Sequence, residues 1–203
     1  MSRANYLEQV QKAIVSADTG EVYVNSDFSE IAGDVAIRKV LSRLEADGIL
    51  RRIMRGVYEY PEYNDFLREY VAPSPDKVAH ALARNYGWTI VPSGDTALNM
   101  FGLSTQVPAM WLYISDGPYK EYTFDSITLK FKHTTNKEIS KISYKTALTI
   151  QALKSLGKNK ITDITVTAIA NTLLKQEKSA MLQEAKYATA WIYDIIKQIC
   201  KMR

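Results

Sequence analysis

Six basic residues and two acidic ones lie between Arg38 and Arg55, a density suited to holding a polyanion rather than to making or breaking bonds. They fall into two sets, Arg38, Lys39, Ser42 and Arg43, then Arg51, Arg52 and Arg55. An arginine fork pairs with guanine O6 and N7, serine bonds a base edge or a phosphate, and lysine meets a phosphate as a point charge. The first set is expected to contact base edges or nearby phosphates in double-stranded DNA. The second is expected to grip the backbone whatever the sequence. No catalytic set competes with this chemistry. Ser93-Gly94-Asp95 offers a hydroxyl, but no nucleophile-elbow pattern surrounds it, and neither His80 nor His133 is tied to it in sequence. The expected role of Ser93 is a helix N-cap accepting the amide of Thr96. A single Cys200 and two histidines exclude an internal disulfide framework and a Cys/His metal cluster, and no phosphate-binding glycine pattern is present. No catalytic residue, cofactor or metal is therefore expected.

The elements that must position the basic sets can be read from periodicity. Leu7, Val10, Ala13, Ile14 and Ala17 mark one face of a first helix. After Asp18-Thr19-Gly20, Val22-Tyr23-Val24 reads as a short strand, and Asn25 or Ser26 caps a helix through Phe28 and Ile31 that Gly33 ends. Asp34 is expected to cap the next helix, which buries Ile37, Val40, Leu41 and Leu44 and stops at Asp47-Gly48. Arg38, Lys39, Ser42 and Arg43 then face away from the apolar stripe. Residues 49–61 read as a hairpin turning at Arg55-Gly56 and closed by Pro61. Two helices followed by a hairpin make a winged helix-turn-helix, whose second helix enters a major groove while the hairpin lies beside it.

Pro73-Ser74-Pro75 suggests a boundary, giving a winged helix-turn-helix domain over 1–72 and a second domain over 73–203. In the second, residues 76–86 read as a helix, 88–91 as a strand and 94–101 as a short helix. Residues 110–114, 119–124 and 127–131 read as an antiparallel meander, and 143–156, 161–174 and 180–202 as three closing helices. The expected class is α+β. Lys and Arg outnumber Asp and Glu by twelve to five over 136–203, whereas residues 1–72 carry nine basic and twelve acidic groups. Lys137, Lys141, Lys145, Lys154, Lys158 and Lys160 make the closing helices a candidate surface for a protein partner, a second copy or DNA. With no apolar stretch of the roughly 20 residues a bilayer needs and a polar start, a cytoplasmic protein with no membrane partner is expected.

Several of these segments resemble a known family. The run Tyr86-Gly87-Trp88-Thr89-Ile90-Val91-Pro92-Ser93-Gly94, then Ala97-Leu98-Asn99, Gly102-Leu103-Ser104-Thr105-Gln106-Val107-Pro108 and Ser115-Asp116-Gly117-Pro118, resembles the AbiEi-type antitoxins of bacterial abortive-infection toxin–antitoxin systems. Leu41-Ser42-Arg43-Leu44 and Arg55-Gly56-Val57-Tyr58 look like the winged helix of the same group. The resemblance spans roughly residues 5–135 and becomes looser over the last helices. It implies a repressor of its own promoter that also counteracts a partner nucleotidyltransferase toxin, directly or functionally. A homodimer on a two-fold operator is a further expectation. The competing expectation is a ligand-responsive winged-helix transcription factor without a toxin partner.

Overall fold

Helix α1 (Tyr6–Val15) begins where the Asn5 side chain accepts the Glu8 amide at 3.3 Å, and it buries Val10 and Ile14. Strand β1 (Val22–Val24) leads into a 3-10 turn over Asn25–Phe28, shorter than the expected helix. The turn is fixed by Asp27, whose Oδ2 accepts the Val24 amide at 2.9 Å, and not by a cap from Asn25 or Ser26. Helix α2 (Asp34–Ala46) is capped by Gly33, so Asp34 is its first residue and not the expected cap. Ile37, Leu41 and Leu44 are fully buried against Val10, Ile14, Phe28, Leu50 and Tyr58. Strands β2 (Arg51–Met54) and β3 (Val57–Glu59) form the expected hairpin, and β1 pairs antiparallel with β3 to give the order β1-β3-β2.

This computed structural model describes residues 5–135, 139 and 141–202, and the chain divides into two compact units, Met1–Trp88 and Thr89–Arg203. The expected boundary at 72/73 falls inside the first unit. Two elements lie between that point and the observed one. Strands β4 (Tyr63–Asn64) and β5 (Glu69–Tyr70) form a small antiparallel hairpin in the stretch read as a linker. Helix α3 (Pro75–Tyr86) then buries Val78, Ala79 and Leu82, and Arg84 donates to the Val22 carbonyl at 2.9 Å and to Asp27 at 2.9 Å. Those bonds attach α3 to β1, which places it with the first unit.

The second unit is built on a four-stranded sheet of β6 (Ile90–Pro92), β7 (Met110–Ser115), β8 (Lys120–Phe124) and β9 (Ile127–His133), in the order β6-β7-β9-β8. The sheet is mixed, not the expected antiparallel meander: β9 inserts between β7 and β8 and runs parallel to β7. The link after β7 makes this possible by wrapping round the end of β9. Ser115 accepts the Thr134 amide at 2.8 Å, the Gly117 carbonyl lies 2.9 Å from His133 Nδ1, and Pro118 has no amide with which to continue a tight β7–β8 ladder.

Helix α4 (Asp95–Met100) follows Gly94, whose φ of 60° and ψ of −143° suit glycine alone. Gly94 and not Ser93 is the N-cap; the Ser93 hydroxyl turns instead to Gln151 Oε1 at 3.2 Å. The chain closes with α5 (Tyr144–Leu156), α6 (Asp163–Asn171), α7 (Lys175–Glu184) and α8 (Ala190–Lys201). The helix expected over 180–202 is thus broken, with a 3-10 turn at Ala185–Tyr187 and extended backbone at Ala188. A straight helix would run about 1.5 Å per residue past its shorter neighbours. Folding back lets Met181, Ile192, Ile196 and Ile199 share one core, and Tyr193 donates to the Leu182 carbonyl at 3.3 Å. The unit is α+β in class. Among the described residues no helix is long and apolar enough to cross a membrane.

Candidate nucleic-acid interface

The core contacts of α2 decide which of its side chains meet solvent. Because Ile37, Leu41 and Leu44 point inward, Arg38, Lys39, Ser42 and Arg43 are all exposed, as is Val35. The predicted first set is therefore brought together on one helix face. Two of its three charges are answered locally. Arg38 forms an ion pair with Asp34 one turn earlier, and Arg43 lies 3.8 Å from Asp47 one turn later. Exposed pairs of this kind contribute about 0.2–1 kcal/mol. A phosphate can exchange for either carboxylate at little cost. Lys39 forms no ion pair among the described residues.

The hairpin separates the second set. Arg55, at the β2–β3 turn beside Gly56, is exposed and forms no ion pair among the described residues. Arg52 is also exposed; its guanidinium lies 5.4 Å from the Tyr58 ring centroid and 3.8 Å from Glu45. The contact with Tyr58 restricts the side chain. Arg51 is different. Its Nε donates to Glu59 Oε2 at 2.9 Å, its Nη2 pairs with the same oxygen and donates to the Val71 carbonyl at 2.7 Å, and its guanidinium lies 5.9 Å from the Tyr70 ring. Glu59 is only 2% exposed. Burial pushes its carboxyl above the ordinary value, while the hydrogen bond and charge of Arg51 oppose that rise. Arg51 is thus committed to the fold, a role different from the expected phosphate grip.

The sequence reading missed the acidic partners Asp34, Glu45, Asp47 and Glu59. The spacing of four in Asp34–Arg38 and Arg43–Asp47 was a usable signal. The Arg51–Glu59 pairing does not follow from the turn at Arg55-Gly56 alone, which would set Arg51 opposite Tyr60; an irregularity between Arg52 and Met54 shifts the register by one residue and brings Arg51 to Glu59. Of the lysines of the closing segment, Lys141, Lys154, Lys158 and Lys160 are exposed and Lys145 is half-buried; Lys137 lies outside the described residues. No group of three or more metal-ligating side chains is found among the described residues.

Residues 9–182 match a family described as "Family of unknown function (DUF6088)", a stretch that includes most of each unit. The chain belongs to the DUF6088 family. A curated phosphoglycerate kinase from Blochmanniella pennsylvanica (strain BPEN) is 29% identical over 142 residues, covering 57% of this chain. The DUF6088 chain spans about a third of that enzyme's length, 34%. Within the DUF6088 match lie both basic sets, Arg38 to Arg43 and Arg51 to Arg55, together with the carboxylates that answer them.

Proposed function

We propose that this protein is a DNA-binding autoregulator that also serves as an antitoxin. Helix α2 lies in a major groove and the β2–β3 hairpin acts as a wing against the adjoining backbone. One observation carries the reading: helix, strand, 3-10 turn, helix and hairpin follow in the order of a winged helix-turn-helix, with strand order β1-β3-β2 and an exposed basic face on α2. Arg38, Lys39, Ser42 and Arg43 contact base edges and nearby phosphates, and Arg52 and Arg55 hold the backbone. Arg51 supports the wing from within, through Glu59.

The antitoxin half of the proposal rests on the resemblance of residues 5–135 to the AbiEi-type antitoxins, which assigns it a nucleotidyltransferase toxin as partner. The action is binding, in the cytoplasm where the promoter lies, and requires no bond-making residue.

The deciding experiment is a mobility-shift titration of the purified chain on its own promoter fragment across a salt series. Binding tighter than to random DNA, falling steeply with salt, is the expected result. Equal affinity for promoter and random fragments overturns the regulator reading. Co-expression with a nucleotidyltransferase from the same operon tests the other half: growth should be restored, and unrelieved toxicity removes the antitoxin role.

A further inference from the structure

Arg84 belongs to neither basic set, and its helix, α3, lies outside the winged helix-turn-helix pattern. Its guanidinium is committed to one short segment. Nε donates to Asp27 Oδ1 at 2.9 Å, while Nη2 donates to Asp27 Oδ2 at 3.1 Å and to the Val22 carbonyl at 2.9 Å. Asp27 Oδ2 also accepts the Val24 amide at 2.9 Å. Three points of residues 22–27, a carbonyl, an amide and a carboxylate, are therefore tied together through one arginine–carboxylate fork. Such a fork fixes direction as well as distance, because two donors of a planar group meet two oxygens. With the Asp27 side chain only 18% exposed, the pair is also partly shielded from salt.

The same 3-10 turn also touches α2. Asn25 Nδ2 donates to the Asp34 carbonyl at 3.4 Å and to the Asp34 carboxylate. Asp34 is the first residue of α2 and pairs with Arg38. Phe28, which ends the turn, is buried in one cluster with Ile37 and Leu41. A series of contacts thus runs from Arg84 through Asp27, the turn and Asn25 to Asp34 and Arg38, all within the first unit. A helix-turn-helix reads base edges with the N-terminal residues of its second helix. Base readout needs side chains held within about 0.5 Å of the productive geometry, whereas a phosphate contact carries no sequence information and tolerates displacement. We infer that Arg84 and Asp27 are positioning residues for sequence reading: the fork sets the 3-10 turn, and the turn, through Asn25, sets the start of α2 at Arg38. This role rests on the DNA-binding reading above and adds α3 to the elements on which specificity depends.

Mobility-shift titrations of full-length chains on promoter and random fragments test it. Arg84→Gln and Asp27→Asn, the latter keeping an oxygen for the Val24 amide, should each lower the promoter-to-random affinity ratio about tenfold, the weight of one bidentate base contact. Affinity for random DNA and the salt slope should stay unchanged. Asn25→Ala, which cuts the series at its other end, should do the same. Arg84→Gln combined with Asp27→Asn should lower the ratio no further than either alone. Lys77→Gln removes the 2.7 Å ion pair of α3 with Glu21 and should leave the ratio at the wild-type value. A merely structural effect lowers both affinities together and leaves their ratio intact. Ratios that hold in the Arg84, Asp27 or Asn25 variants, that fall equally in Lys77→Gln, or that fall additively in the double variant overturn the positioning role and leave the regulator reading standing. A wild type without promoter preference overturns both.

Discussion

Arg51 and Glu59 face each other across β2 and β3, the carboxylate 2% exposed and the arginine side chain 33%, with Nε donating to Oε2 at 2.9 Å. Removing the arginine alone leaves a buried carboxylate unanswered, which costs about 3–5 kcal/mol. Arg51→Ala should therefore lower the urea midpoint of the chain, with the cost nearer 3 kcal/mol given the partial exposure of Arg51. Folding raises the Glu59 pKa, so the folded state binds the extra proton. The stability linked to that proton is present below the unfolded value of about 4.3 and lost as pH rises through the folded one. Without Arg51 the rise is unopposed, so the deficit of the variant should be larger at pH 7 than at pH 4. Equal deficits at both would exclude the buried pair as the cause.

The exposed charges behave differently. Arg55→Ala and Lys39→Ala should each weaken binding to every DNA sequence and reduce the salt slope by about one, while Arg38→Ala or Arg43→Ala should cost about 1–3 kcal/mol and relax specificity. Mobility shifts on promoter and random fragments separate the two patterns.

Asp34 and Asp47 pair with Arg38 and Arg43, so under the proposed function they compete with phosphates for these arginines. Asp34→Asn and Asp47→Asn should each tighten binding about threefold at low salt, equivalent to ~0.6 kcal/mol, and the gain should fade as salt is raised. Unchanged or weaker affinity would show that these arginines do not meet phosphates.

Glu184 ties α7 to the start of α5. Burial pushes its carboxyl up, but the bonds from Ser143 and Thr146 outweigh that and hold it below the ordinary value. The stability it lends is complete above the unfolded value of about 4.3 and is lost as pH falls through the depressed folded value. Glu184→Gln should cost about 1–3 kcal/mol at pH 7 and progressively less in acid, as followed by thermal unfolding.

Gly94→Ala should destabilise the chain by about 1–3 kcal/mol, since φ 60° with ψ −143° is strained for any side chain and an added Cβ would lie 3.3 Å from Leu112. A variant as stable as the wild type in chemical denaturation would mean that the turn relaxes.

Much of the first unit was legible because its signals are local. The stripe Ile37, Leu41, Leu44 fixed both the buried face of α2 and the basic face opposite, and Arg55-Gly56 fixed the hairpin. What escaped depends on contacts distant in sequence. The attachment of α3 rests on Arg84 reaching Asp27 and Val22, and the parallel pairing of β7 with β9 on a link that no alternation pattern encodes. The break between α7 and α8 has neither glycine nor proline to announce it.

The placement of β9 also bears on how the second unit is made. Strand β7 leaves the ribosome well before the partner that fills its free side, so its hydrogen-bonding edge waits unfilled until synthesis has passed His133. The β8–β9 hairpin, closed by the short turn at Asp125-Ser126, joins neighbours in the chain and can form first. It must then slot beside β7 as a preassembled piece, and a nascent or truncated chain ending before His133 carries an open strand edge on which another such chain can pair.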